Sequence, residues 1–171
     1  MTTRADFTEE EWLRLGRAPL VAGLAISIAD PGGPIETVKE STAALRTIVA
    51  AAEGNDHGAF VKAIAHDVAE LARQRHNPLA GFHPKGRHAR DAILDELRAV
   101  NTLVVERATP EETADYRELI KTAAQQTALA AKEGGFLGIG AELVSEREQQ
   151  MLDTLAEIFY EGPEEEESAG A

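Results

Sequence analysis

The chain has 171 residues, enough to bury one core without a disulfide or a structural metal to hold it. It contains no cysteine, which excludes a disulfide framework, a thiolate nucleophile and a thiolate metal site. Its net charge of −13 lacks the positive field that a phosphate backbone requires, so no nucleic-acid partner is expected; even without Glu161, Glu164, Glu165, Glu166 and Glu167 the balance is −8.

Hydrophobic residues make up 43% of the chain and aromatics only 5%, so Ala, Leu, Val and Ile carry the packing, as suits closely spaced helices. The run Thr8, Glu9, Glu10, Glu11 reads as a capping box, and a short first helix is predicted from there to about Leu15. Gly16 interrupts it. Pro19, whose missing N–H costs nothing in a first turn, opens a second helix to about Ala29. The apolar run Ala18 to Ala29 is about a dozen residues where a bilayer crossing takes roughly 20, so it reads as a buried helix and no transmembrane segment is expected. Asp6, Glu9, Glu10 and Glu11 precede it where a secretory signal carries basic residues, and the expected location is the cytoplasm.

Asp30, Pro31, Gly32, Gly33 and Pro34 form a turn. The third helix carries Ile35, Val38, Leu45, Ile48 and Val49 on one face and ends near Gly54; the fourth carries Phe60, Ile64, Val68 and Leu71 and ends before Asn77 and Pro78. A loop rich in Gly, Pro and His follows, from Asn77 to His88. The fifth helix, about Ala89 to Arg107, presents Ile93, Leu97, Val100 and Val104. Thr109, Pro110, Glu111 and Glu112 then open a sixth, which runs to about Lys132. Ser145 and Glu148 make a second capping box before the last apolar face, Met151, Leu152, Leu155, Ile158 and Phe159. Strand-like alternation is missing, so the fold class is all-α: an irregular bundle of about seven helices over residues 1–161, followed by a disordered acidic tail, 162–171.

Several chemistries lack their spacing. None of the five histidines has Glu three residues before it, as a di-iron bundle needs, and no pair brackets a Glu as in the zinc proteases. His76, His83 and His88 can gather on a metal across their loop, but Arg73, Arg75, Lys85, Arg87 and Arg90 surround them and oppose a cation; an exposed basic loop facing an acidic partner is the favoured reading. Gly134, Gly135, Gly138 and Gly140 lack the Lys-Ser/Thr ending of a phosphate loop. There is no Gly-x-Ser-x-Gly elbow, and no catalytic residue is assigned. Among the glycines stand Phe136, Leu137 and Ile139, which either tuck into the bundle or form an apolar hook for a partner or membrane surface.

Two places share a plan: a small-residue helix, an acid, two glycines, then a Glu-bearing helix. The first is Ala25 to Ala29, Asp30, Gly32 and Gly33, then Ile35, Glu36 and Glu40; the second is Ala128 to Ala131, Glu133, Gly134 and Gly135, then Val144, Ser145 and Glu148. Such repetition predicts a degenerate internal helix-turn-helix repeat with pseudo-twofold symmetry. Asp30, Glu36 and Glu40 place three carboxylates around one turn, as calcium favours; the other reading is that Asp30 caps a helix end while Glu36 and Glu40 sit near the next N-terminus.

Ala29-Asp30 with Gly32, and Val144-Ser145 with Glu148, resemble the pattern of the TerB-like helical family, associated with tellurite resistance and bacterial stress. The chain departs from it at Pro31, between Asp30 and Gly32, and at Glu133, where Asp is expected. The resemblance implies an all-α fold with acidic turns that bind a divalent cation, through Asp30, Glu36, Glu40, Glu133 and Glu148. The function expected first is a non-enzymatic helical interaction module, stress- or envelope-associated, acting through a protein partner or self-association. A divalent-cation-binding protein comes second, and an enzyme with an unrecognised pocket third.

Overall fold

The Thr8 hydroxyl accepts from the Glu11 amide at 3.2 Å and Glu11 accepts from the Thr8 amide at 2.7 Å, closing the capping box that opens helix α1, Glu9–Ala29. The computed structural model describes residues 1–31, 34–132 and 144–160, with only the backbone of 34–38, 87, 131 and 132. Its further helices are α2 (Pro34–Glu53), α3 (Ala59–Arg73), α4 (Ala89–Arg107), α5 (Pro110–Lys132) and α6 (Glu146–Tyr160), with short 3-10 turns at Arg4–Asp6 and Gly86–His88. The all-α class holds, and among the described residues there is no strand. The tail 162–171 and the segment of Phe136, Leu137 and Ile139 lie outside these residues.

One expectation needs correcting. The sequence predicts a break at Gly16 and a new helix from Pro19, yet α1 runs through both, so among the described residues six helices stand where about seven are expected. Gly16 is a contact point: a Cβ there would lie 2.9 Å from Val68 Cγ2 of α3. Pro19 deprives the Leu15 carbonyl of its helical donor, and the buried Tyr116 hydroxyl replaces it at 2.8 Å. The fused helix, at 21 residues, is long and apolar enough by length and composition to cross a bilayer, but 56% of its apolar window is buried inside the bundle.

Two contacts fix the direction of the central helices. Tyr116 meets Leu15, and a Cβ on Gly23 would come within 2.9 Å of Thr127 Oγ1, so α1 and α5 run side by side in the same direction. α4 runs opposite to α1: Arg14 and Arg17 meet Glu96, while Arg107 donates to the Asp6 carbonyl at 2.9 Å. α2 runs opposite to α5, with Ala44 beside Gly23 and Thr127 at one end and His57, just past α2, on Asp115 at the other. α6 packs on α1, α4 and α5, and Asn101 of α4 donates to the Ile158 carbonyl at 2.8 Å.

All six helices contribute to one connected core, from Leu15 and Ile26 through Ile48, Ile64, Leu97 and Leu119 to Phe159. Large aliphatic side chains buried in this way each contribute about 1.5–3 kcal/mol. Four of the few aromatics, Phe7, Trp12, Phe60 and Tyr116, gather near the start of α1 with centroids 5.7 to 6.3 Å apart. The Trp12 indole donates to Asp67 at 2.9 Å, so its polar edge is satisfied while its face is buried.

Candidate functional site

Because α1 and α5 are parallel, Ala29 and Lys132 end at one pole of the bundle, where α2 and α6 begin. Of the acidic residues singled out in the sequence, Asp30, Glu40 and Glu148 are described with their side chains, at the end of α1 and in the first halves of α2 and α6. Asp30 caps the end of α1 and lies 3.7 Å from the Arg147 guanidinium in the first turn of α6. Glu40 of α2 and Glu148 of α6 are both only 2% exposed. Glu148 accepts from the Ser145 amide at 2.7 Å, and the Ser145 hydroxyl accepts from the Glu148 amide at 3.2 Å, so its carboxylate serves a cap. Glu40 is the seventh residue of α2, past the four free amides that a first turn offers. The Glu36 side chain and Glu133 lie outside the described residues. Among the described residues no three of His, Asp and Glu gather closely enough to hold a metal ion, and this includes His76, His83 and His88.

A second feature is an open groove of about 460 Å³ between α2 and α5. Alanines form much of its lining, with Ala43, Ala50 and Ala130 among them, and Arg46, His57 and Leu129 mark its edges. His57 Nδ1 stands 2.7 Å from Asp115 Oδ1, while Asp115 Oδ2 accepts from the Gly58 amide at 2.8 Å. This carboxylate orients the imidazole, as in acid–base sites. Among the described residues no Ser, Thr or Tyr hydroxyl hydrogen-bonds His57.

The third feature is the loop between α3 and α4. It leaves α3 through Arg75 at φ +59°, with the His76 amide donating to the Leu71 carbonyl at 2.9 Å and the Arg75 amide to the Ala72 carbonyl at 3.0 Å. That is a Schellman ending with arginine where glycine usually stands. Leu79 and Phe82 pack against the core, and the Arg17 guanidinium covers the Phe82 ring at 5.3 Å. Arg17 and Arg14 also grip Glu96, at 2.7 and 2.8 Å. Burial alone would raise the Glu96 carboxyl, but the hydrogen bonds from Arg14 and Arg17 outweigh it and hold the group below its ordinary value. The loop is therefore anchored, while Arg75, His76, His83, Lys85, His88 and Arg90 face solvent.

Sequence reasoning misses the pairs His57 with Asp115 and Arg17 with Glu96. Their partners stand 58 and 79 residues apart, and no periodicity links them. Compared with protein-family models, curated proteins and solved structures, the chain matches none.

Proposed function

We propose that this chain is a non-enzymatic helical interaction module whose working end is the pole where α1 and α5 finish and α2 and α6 begin. The observation that carries the reading is the burial of two carboxylates there, Glu40 and Glu148, each 2% exposed. Shielding a carboxylate costs several kcal/mol unless it is compensated, and an apolar residue of similar volume serves stability as well or better. Glu148 is compensated by its cap with Ser145, and among the described residues no buried side-chain oxygen lacks a hydrogen-bond partner, so both carboxylates are held in fixed positions behind this end of the bundle, a rigid frame for a docking partner.

The internal repeat is part of the same proposal. Both parallel helices open with Thr-x-x-Glu boxes, Thr8 with Glu11 and Thr109 with Glu112. The helix after each contributes a buried glutamate, and α2 packs on α5 while α6 packs on α1. This exchange is what a pseudo-twofold pair of helical hairpins produces. The second reading, a divalent cation at this pole, rests on the sequence pattern of Asp30, Glu36, Glu40, Glu133 and Glu148; the described side chains Asp30, Glu40 and Glu148 do not gather closely enough to hold one by themselves, so it needs the other two. Calcium takes six to eight oxygens and binds best where several carboxylates are held together.

Thermal melts of the parent and of Glu40→Gln, each with calcium, magnesium, manganese or zinc, separate the readings. A ligand at a hundredfold its dissociation constant stabilises by about 2.7 kcal/mol. A shift in the parent that Glu40→Gln abolishes supports the cation. No shift, with Glu40→Gln as stable as the parent but unable to retain a partner cross-linked to the parent, supports the interaction module. A variant that is less stable yet retains that partner assigns Glu40 a structural role and overturns the proposal.

A further inference from the structure

The groove between α2 and α5 carries two opposite charges and pairs neither. Its volume of about 460 Å³ falls in the range of about 300–1,000 Å³ that small-molecule sites occupy. Arg46 of α2 lines it, is exposed and makes no ion pair among the described residues. On its own helix the positions three and four residues away hold Thr42, Ala43, Val49 and Ala50, none of them acidic. The α5 residues across the groove, Thr122, Gln126, Leu129 and Ala130, carry no charge either.

The negative charge gathers where α2 ends. No basic side chain stands in the last turn of α2 to offset the negative end of its dipole. Asp56 lines the groove there, with Oδ2 3.9 Å from where a Cβ on Gly54 would lie, and it makes no ion pair or hydrogen bond among the described residues. His57, beside it, spends Nδ1 on Asp115, which also accepts from the Gly58 amide. Nε2 is the ring nitrogen left for a ligand, and in the neutral ring it offers a lone pair. This end of the groove therefore presents acceptors, which suit an ammonium group, while Arg46 presents donors, which suit a carboxylate.

The spacing sets the length of the ligand. From Arg46 to Gly54 is about 12 Å along α2 at a rise of about 1.5 Å per residue. An extended chain of three residues spans about 10 Å at about 3.3 Å per residue, and the long Arg46 side chain has the reach to close the rest. Between the charges the α2 wall is Ala50 and Ala51, which leaves room only for small side chains. The Gln126 side chain, opposite, makes no hydrogen bond among the described residues, and its amide can both donate to and accept from a peptide group. We propose that this groove binds a free peptide of about three small residues, its ammonium at Asp56 and His57 and its carboxylate at Arg46. The site uses none of the carboxylates at the pole, so it stands independently of the interaction module.

The probe is trialanine, titrated at low salt into the isotope-labelled full-length chain and followed by amide shifts; N-acetyl-trialanine removes the ammonium and trialanine amide removes the carboxylate. The proposal expects saturable shifts at residues 46–57 and 122–130, and binding about two- to fivefold weaker when either terminus is blocked, the size of an exposed ion pair. Asp56→Asn should weaken trialanine by a similar factor and leave N-acetyl-trialanine unaffected, while Arg46→Gln should weaken trialanine and leave trialanine amide unaffected. Both side chains are exposed, so both variants should keep the fold, and the blocked peptides on the parent decide the matter without them. Three outcomes overturn the proposal. Trialanine at about 10 mM, ten times a dissociation constant of about 1 mM, moves no amide of the groove; the blocked peptides bind the parent as tightly as trialanine does; or each variant weakens its blocked peptide as much as trialanine, which places the contact elsewhere.

Discussion

The Tyr116 hydroxyl donates to the Leu15 carbonyl at 2.8 Å, and that is the carbonyl of α1 left without a helical donor by Pro19. A residue of α5 thus repairs a defect in α1, 101 positions away in sequence. The repair also explains why a proline expected to start a helix lies inside one. Pro19 is buried, so water cannot take the place of the missing amide.

Tyr116→Phe keeps the ring in the aromatic cluster and removes only the donor. It should cost about 1–3 kcal/mol, the usual penalty for leaving a buried carbonyl unsatisfied. In a Pro19→Ala background the new amide can serve Leu15, and the same change should cost much less. The cycle is read from denaturant midpoints of the four proteins. An equal cost in both backgrounds would show that the hydroxyl does not compensate for the proline.

Gly23→Ala should destabilise although alanine is the better helix former by about 1 kcal/mol. The added Cβ would stand 2.9 Å from Thr127 Oγ1 and 3.1 Å from the Ala44 Cβ, where α1, α2 and α5 meet. Thr127 cannot swing away, since it is fully buried and its hydroxyl donates to the Ala123 carbonyl at 2.8 Å. Overpacking of this kind costs about 1–3 kcal/mol. Thr127→Ala should relieve part of it, so the double variant loses less than the sum of the singles. Additive losses would place the strain elsewhere.

Arg75→Gly should raise stability by about 0.5–1 kcal/mol. At φ +59° an L-residue carries left-handed strain of about 1–2 kcal/mol, which glycine relieves while losing part of the gain to its greater freedom when unfolded. Arg75→Ala keeps the strain and should bring no gain. The comparison needs urea midpoints at unchanged slope, and a stabilisation by alanine equal to that by glycine would point away from the backbone.

What the sequence shows of the fold is local. The capping boxes at Thr8, Thr109 and Ser145 mark where α1, α5 and α6 begin, because the residues that satisfy the first amides are neighbours in the chain. Gly16 and Pro19 mislead for the converse reason: what allows α1 to continue is Val68 and Tyr116, supplied by other helices. The acidic pole is legible as composition, since Asp30, Glu40 and Glu148 fall at repeated positions, but not as geometry. That Glu40 and Glu148 are buried depends on which face of α2 and α6 the bundle covers. The His57 and Asp115 pair has no sequence signal at all, because a groove between antiparallel helices joins residues with no shared period.

Stability should fall at both ends of the pH scale, for reasons that can be separated. Hydrogen bonds from the Thr2 hydroxyl and the Thr2 and Thr109 amides hold the Glu112 carboxyl at about 2, against an ordinary 4.5, and Glu96 is lowered in the same direction. A group whose folded value lies below its unfolded one binds fewer protons when folded, so its contribution is complete above the unfolded value and lost as pH falls through the folded one. The acid limb should therefore begin below about pH 5 and, for Glu112, continue to about pH 2. Tyr116 shifts the other way: burial, with the nearby Glu96 charge, raises the phenol well above its ordinary 10.0. Its contribution is complete below the unfolded value and is lost as pH climbs from there toward the folded one, giving an alkaline limb. Urea unfolding across pH should show a shallower acid limb for Glu112→Gln and a shallower alkaline limb for Tyr116→Phe, each leaving the other limb as in the parent. Parallel profiles for Glu112→Gln and the parent between about pH 5 and pH 2 would mean that the clamp between Thr2 and Glu112 does not couple folding to protonation.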